Sequence, residues 1–304
     1  MKTVAAPQLA RLFTLACLAP SCLGLAAPPP TAHSSPTSAE LCDRTSRIFL
    51  QADLFKPGRE MPADLDSDLA PLIIQEVVSA TTPSPGLAGF GSLRLCTNTL
   101  TIDLTVPAVY LIADTVDLNG RPHRQLTFIW FYSLQSACPT NQALPLQGLR
   151  MTLDSSGRPA LWEVLADASR LDLLFVSRGL EIAAREKFGR PWPGRHFSIE
   201  RSINETPGVV VAGVLEDSPV PMGPIVYLSS ETHAVSTVTC RCMPAQAKTL
   251  RQTSTYQVID ASNDQLQSLL SLAKARLQAR VRFWPEKGCA DNRLERALRL
   301  PASF

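Results

Sequence analysis

The chain has 304 residues, a formal net charge of +2 at pH 7 and eight cysteines. This length is enough for one large domain, or two small ones, with a real hydrophobic core. The near balance of acidic and basic residues argues against nucleic acid as the main partner, because nucleic-acid-binding domains carry a clear excess of Lys and Arg.

The first 26 residues have the pattern of a secretory signal peptide. Lys2 and Arg11 supply positive charge, and Leu12–Ala19 form an apolar run that is too short to span a bilayer. Small residues at Gly24 and Ala26 provide a cleavage site before residue 27. The sequence therefore predicts a secreted or periplasmic protein, and no later apolar run is long enough for a transmembrane span.

A lipid anchor is the alternative to cleavage after Ala26. Cys22 follows the apolar run, as the acylated cysteine of a bacterial lipoprotein does, but Pro20 stands two places before it and departs from the usual motif. The two alternatives, a released chain and a chain anchored through Cys22, stay open.

Residues 27–40 are rich in Pro, Ser, Thr and Ala, a composition typical of a flexible spacer. Residues 41–304 are then expected to form a single α+β domain, or two subdomains. Acidic residues outnumber basic ones between Glu40 and Asp117, and the reverse holds between Lys274 and Arg299. Two solvated faces of opposite charge would explain this, and so would a basic C-terminal patch that contacts anionic lipid or an envelope polymer.

Hairpins are the clearest local prediction in the first two thirds of the chain. Asn119-Gly120 favours the positive φ angles of a tight turn between strands at Ile102–Val116 and Leu126–Tyr132. A second hairpin is expected from Leu149–Leu153 and Ala160–Leu165, with Gly157 in its turn. Residues 69–80 fit either a short helix or a strand.

Strands and helices alternate in the rest of the chain. Ser177 can cap a helix near 178–188, which Gly189 would end. Ser262 and Gln265 form a capping box before an apolar stripe, which predicts a long amphipathic helix near 263–282. Further strands are expected at residues 171–176, 196–199, 209–215, 225–228 and 235–242. The fold class predicted is thus α+β, with a mainly antiparallel sheet built from hairpins.

Six cysteines follow the leader, and an even number in an exported chain favours disulfides over metal or redox sites. They are Cys42, Cys96, Cys138, Cys240, Cys242 and Cys289. Cys240 and Cys242 would share one face of an extended strand, so we expect each to bridge to a separate partner rather than to each other. The sequence has no paired metal-ligand spacing and predicts no metal site and no cofactor.

One exposed loop is a candidate binding surface. Trp192 stands between two prolines, close to Arg195 and His196, where a stiff aromatic ring beside cations could contact a sugar or a peptide. The competing interpretation is that Trp192 folds back on the core.

No nucleophile or phosphate-binding motif is present in the sequence. The function predicted is an exported, disulfide-stabilised protein without enzymatic activity, which binds a ligand or protein partner or serves as an envelope component. The alternative is an extracytoplasmic enzyme, a hydrolase or a thiol-redox protein, whose site gathers Glu163, His196 or His233 around a reactive side chain.

Overall fold

The computed structural model describes residues 46–58, 65–77, 89–96, 99–132, 145–167, 172–202, 209–230, 232–277, 293–302 and 304. The predicted signal peptide, the spacer and the cysteines at 22, 42, 138 and 289 lie outside these ranges. Thirteen strands are present in the described ranges: β1 (Phe49–Pro57), β2 (Leu72–Glu76), β3 (Phe90–Cys96), β4 (Thr99–Asp103), β5 (Ala108–Leu118), β6 (Arg121–Tyr132), β7 (Leu146–Leu153), β8 (Pro159–Val164), β9 (Asp172–Ser177), β10 (Val209–Leu215), β11 (Ile225–Leu228), β12 (Val235–Thr239) and β13 (Ala247–Asp260).

The helices of the described part of the chain are short. They are α1 (Leu65–Asp68), α2 (Arg178–Phe188), α3 (Asp264–Leu277) and α4 (Arg293–Ala297). None of the helices within the described ranges is long and apolar enough to cross a lipid bilayer.

The predicted α+β fold class is wrong, because about half of the described residues lie in strands and the strands form one mixed sheet. Two of the strands that the sequence does not predict, β1 and β13, explain the difference. β1 pairs in parallel with β13, and β13 pairs in parallel with β5, so β13 joins the two halves of the sheet. Most residues of β13 are polar and exposed, which is why it lacks the apolar alternation of a half-buried strand.

The sheet has the strand order β10-β9-β8-β7-β6-β5-β13-β1-β2-β11-β12, and the β3–β4 hairpin branches from β6. Pairs β9–β10 and β2–β11 are also parallel, whereas the hairpin neighbours are antiparallel. Phe175 from β9 and Val238 from β12 belong to the same buried apolar cluster as Trp130 in the middle of the order. The sheet therefore curls so that its two ends face a common core. We call the gap between the end strands β10 and β12 the seam.

Both predicted hairpins are present, although the strand expected at Ile102–Val116 is interrupted, since β4 ends at Asp103 and β5 begins at Ala108. Asn119 and Gly120 connect β5 to β6 with φ angles of 54° and 72°, the positive values that a tight two-residue turn requires. Gly157, with φ of 79°, lies in the turn between β7 and β8.

The helix expected at 178–188 is present, and Ser177 caps it by accepting a hydrogen bond from Leu180 N at 3.2 Å. The long amphipathic helix expected near 263–282 is wrong. Its described part, α3, has 14 residues, and Leu272 on it is 48% exposed. The cap is Asn263, whose Oδ1 accepts from Leu266 N at 2.8 Å, because Ser262 instead bonds to Asp260. Residues 278–282 lie outside the described ranges.

Two other predicted strands differ from the structure. Residues 196–199 form turns and bends rather than a strand, and only Glu200 makes an isolated bridge, to Leu298. The strand expected at 235–242 ends at Thr239, so the two cysteines that follow lie in a turn. This early end of β12 decides the geometry of Cys240 and Cys242.

Candidate binding cleft at the seam

A cleft of about 230 Å³ lies at the seam of the sheet. Its walls come from the β7–β8 turn, the start of α2, the β10–β11 connection at residues 216–224, and the turn after β12. These segments are distant in sequence and meet because the sheet curls. The cleft is slightly smaller than sites for drug-sized ligands, which have about 300–1,000 Å³, so its size suits a small molecule or a short peptide segment.

The β10–β11 connection is held tightly at one point. The Gly223 N–H donates to the Asp68 carbonyl at 3.0 Å, and a Cβ at Gly223 would lie 2.3 Å from the Leu69 carbonyl oxygen. Only glycine fits this approach without displacing backbone. Val220 and Met222, which precede it, form part of the apolar wall of the cleft.

Three polar groups at the cleft have no hydrogen-bond partner among the described residues: Trp162 Nε1, Arg241 Nε and Ser218 Oγ. Trp162 is only 5% exposed. A buried donor without an acceptor costs about 1–3 kcal/mol, so such groups are rare in native proteins and each calls for an explanation. A ligand with acceptor atoms would satisfy them.

Two cations of the described residues line this cleft, Arg158, which is exposed, and Arg241, which is half-buried. Arg241 Nη2 donates to the Ala70 carbonyl, and no carboxylate lies within ion-pair distance of Arg241 in the part of the chain described. Burial lowers the pKa of the Arg241 guanidinium, although the charges of Tyr256 and Asp68 act in the opposite direction. The side chain remains a cation near pH 7, because the ordinary pKa of arginine is so high.

The acidic groups of the cleft already have partners. Glu216 accepts a hydrogen bond from Arg178 Nε at 2.6 Å, and this bond holds the pKa of Glu216 below its ordinary value. Asp217 accepts from Gly179 N at 2.9 Å, at the start of α2. Asp154 Oδ1 accepts from backbone N–H groups of its own turn. The unsatisfied polar groups of the cleft are therefore mainly donors.

Cys240 and Cys242 form a disulfide with each other, with a Cα–Cα distance of 5.1 Å. The expectation that each would bridge to a separate partner is wrong, because the chain turns after Thr239 and brings the two Cα atoms close. Cys240 lies in the wall of the cleft and is 6% exposed. Cys96 is a free, exposed cysteine.

The predicted binding residues lie on the loop after α2 and do not line the cleft. Trp192 is 48% exposed, with the Arg299 guanidinium 5.7 Å from its ring centre. His196 is exposed. Arg195 is turned inward: it donates to the carbonyls of Arg201 and Val209 at 3.0 and 3.2 Å. The structure therefore does not bring the three side chains together at one surface.

The residues considered for an enzyme are also separated from the cleft. Glu163 is buried and accepts two hydrogen bonds of 2.7 Å from Arg150, and Arg293 binds the same carboxylate. His233 is fully buried and stacks on Tyr132, with ring centres 3.6 Å apart. Both arrangements are those of core packing, in which the polar group is held by its neighbours.

Sequence reasoning missed the donors of the cleft. The sequence pattern places Trp162 only in a predicted strand, and Ser218 belongs to a connection with no pattern of its own. Arg241 lies between Cys240 and Cys242 in the sequence, and this pattern is the single local signal for the site.

No protein-family model matches this chain, and neither a curated protein sequence nor a solved structure is similar enough to match it.

Proposed function

We propose that this chain is an exported, disulfide-stabilised binding protein, and that the cleft at the seam takes a small ligand bearing a carboxylate. The observation that carries the proposal is the set of donors without acceptors, Trp162 Nε1, Arg241 Nε and Ser218 Oγ, in the wall of one cleft. A carboxylate offers two oxygens with about four acceptor sites, which suits such a set.

The charges of the cleft favour the same ligand class. Arg241 has no carboxylate partner among the described residues, and a charge-assisted hydrogen bond to a ligand carboxylate is about twice as strong as a neutral one. Val220, Met222 and Leu215 supply apolar surface for the rest of the ligand. Glu216 and Asp217, toward the exposed side, would discourage a ligand with several negative charges.

Export is the second part of the proposal. The leader pattern at residues 1–26 supports it, and so does the disulfide, because disulfides persist mainly in oxidising compartments. In that location the ligand carboxylate would belong to a protein terminus or to an envelope component.

The experiment is a titration of the full chain, followed by NMR of the tryptophan indole N–H signals. The probes are N-acetylated dipeptides with a free terminal carboxylate, and the same dipeptides with a carboxamide. The Trp162→Phe variant removes Nε1 while keeping a ring, and so identifies the Trp162 signal by its loss. We expect that signal to shift with the carboxylates and much less with the carboxamides.

Two variants sharpen the test. Arg241→Gln should weaken carboxylate binding about tenfold, since it removes the charged donor. Arg94→Gln is the control, because this arginine lies on β3 and does not line the cleft. The proposal is wrong if no carboxylate shifts the Trp162 signal, or if Arg94→Gln weakens binding as much as Arg241→Gln.

A second candidate function is thiol–disulfide exchange, favoured by the position of the Cys240–Cys242 disulfide in the wall of the cleft. In that reaction a substrate thiolate attacks one sulfur, the bond between Cys240 and Cys242 breaks, and the other cysteine leaves as a thiolate. Incubation with glutathione, followed by acid quenching and mass spectrometry, tests it. A mixed disulfide between glutathione and Cys240 or Cys242 would support exchange, and its absence would leave the disulfide a structural one.

A further inference from the structure

A second cavity, of about 450 Å³, is lined by four cations: Arg121, Lys187, Arg201 and Arg299. We call it the basic pocket. Arg121 begins β6, Lys187 lies near the end of α2, and Arg201 and Arg299 belong to the segments that bridge at Glu200 and Leu298. No acidic residue of the described ranges lines the pocket.

None of these four cations makes an ion pair within the described part of the chain. Elsewhere in the structure, arginines have carboxylate partners: Arg94, Arg150 and Arg251 lie within 2.7 Å of one. Four cations around one cavity repel one another, and a bound anion would relieve this repulsion.

Two acids close in sequence to the cations of the pocket, Glu181 and Glu295, accept hydrogen bonds from backbone N–H groups. The Glu295 carboxylate accepts from Asn119 N, and the Glu181 carboxylate accepts from Ser198 N and Ile199 N at 2.8 and 3.1 Å. Glu181 also lies 3.7 Å from Arg185, on the same helix. Burial lowers the pKa of the Arg299 guanidinium and the charge of Glu181 opposes this effect. Neither acid forms an ion pair with a cation of the pocket in the described part of the chain.

Several of the cations are held in place before any ligand binds. Arg121 donates to the Ala302 carbonyl at 2.6 Å, and Arg201 Nε donates to the carbonyls of Glu295 and Leu298 at 2.7 and 2.9 Å. Arg299 donates to the Ser198 carbonyl and lies 5.3 Å from the centre of the Phe188 ring, while its buried Nε has no acceptor among the described residues. Fixed cations lose little conformational entropy when an anion binds.

We infer that the basic pocket is a second ligand site, which takes a small anion bearing phosphoryl groups. A phosphoryl group carries about 1.5–2 negative charges at pH 7 and three strong acceptor oxygens, so it matches several cations better than a single carboxylate does. Guanidinium groups bind such oxygens with two parallel hydrogen bonds. Phe188, Leu300 and Phe304 supply apolar surface for the organic part of the ligand. The inference does not depend on what the seam cleft binds.

The experiment is isothermal titration calorimetry of the full chain with inorganic pyrophosphate in a phosphate-free buffer. Lys187→Gln should weaken binding about tenfold, because it removes one charged partner from an exposed position without disturbing the core. Arg299→Gln should weaken it at least as much. The matched control is Arg185→Gln, which removes one positive charge from the same helix at a residue that does not line the pocket.

One pyrophosphate per chain, weakened by Lys187→Gln and Arg299→Gln but changed less than about twofold by Arg185→Gln, supports the inference. Absence of pyrophosphate binding overturns it. Equal weakening by Arg185→Gln also overturns it, since binding would then follow only the general positive field. Sedimentation with phosphatidylglycerol vesicles, in the absence of pyrophosphate binding, would assign the cations to a membrane surface and overturn the small-ligand site.

Discussion

The Phe304 ring stacks on the His123 imidazole, with ring centres 4.5 Å apart and planes 10° from parallel. His123 is buried and its Nδ1 lies 3.0 Å from the Leu153 carbonyl oxygen, which holds the imidazole on β6. Phe304 lines both the seam cleft and the basic pocket. A single aromatic side chain is therefore the shared wall of the two candidate sites.

Replacing Phe304 tests how much the packing of its ring stabilises the fold. Phe304 is 4% exposed, so Phe304→Ala should lower the free energy of unfolding by about 3 kcal/mol, through lost burial and a cavity beside His123. Urea unfolding followed by circular dichroism measures the change. Leu272→Ala is the control, because Leu272 is 48% exposed and its loss should cost less than about 0.5 kcal/mol. Similar costs for the two variants would mean that Phe304 contributes no core packing.

The buried carboxylate of Glu163 provides a second prediction. Glu163 is 1% exposed and binds both Arg150 and Arg293, so Glu163→Gln should cost about 3–5 kcal/mol, because it removes the carboxylate facing buried positive charge. Glu216→Gln breaks the exposed pair with Arg178 and should cost about 1 kcal/mol or less. Chemical denaturation of both variants compares the costs. If the two costs were equal, the buried cluster would not hold the fold as described.

The cysteines make a third prediction. Alkylation of the unfolded, unreduced protein should modify Cys96 and leave Cys240 and Cys242 unmodified. After reduction, the peptide containing residues 240–242 should gain the mass of two hydrogen atoms, as peptide mapping by mass spectrometry can measure. Cys242→Ser is the control, because it should make Cys240 available for alkylation. Alkylation of both cysteines without reduction would contradict the disulfide.

The buried side chains of Tyr110, Tyr132 and Tyr256 should make the fold unstable at alkaline pH. Burial raises the pKa of Tyr110, Tyr132 and Tyr256, so these phenols stay neutral in the folded chain above the pH at which they ionise in the unfolded one. Their contribution to stability is complete below about pH 10 and is lost as the pH rises above that value, because only the unfolded chain then releases the protons.

The measurement is an alkaline titration that follows tyrosinate absorbance and circular dichroism in the same sample. We expect the tyrosinate absorbance of Tyr110, Tyr132 and Tyr256 to rise only together with the loss of circular dichroism. N-acetyltyrosinamide in the same buffers is the reference for an exposed phenol, whose ionisation has its midpoint at about pH 10. Ionisation of Tyr110, Tyr132 and Tyr256 at that midpoint, with the fold intact, would show that these three side chains are not buried.

The elements whose signals are local follow from the amino-acid sequence alone. Asn119-Gly120 determined a hairpin because these residues tolerate positive φ angles. Ser177 and Gly189 determined both ends of α2 through a side-chain cap and a backbone φ of 78°. The apolar runs at β10 and β11 likewise marked strands at their observed bounds.

The sheet and the two candidate sites depend instead on contacts between residues that are far apart in sequence. β13 is a polar strand whose place between β1 and β5 depends on parallel pairing with residues far away in sequence, and such pairing leaves no local pattern. The end of β12 at Thr239 placed Cys240 and Cys242 in a turn and made their mutual disulfide feasible. The seam cleft and the basic pocket arise where distant segments meet, because curling of the sheet brings together donors and cations that are unrelated in sequence.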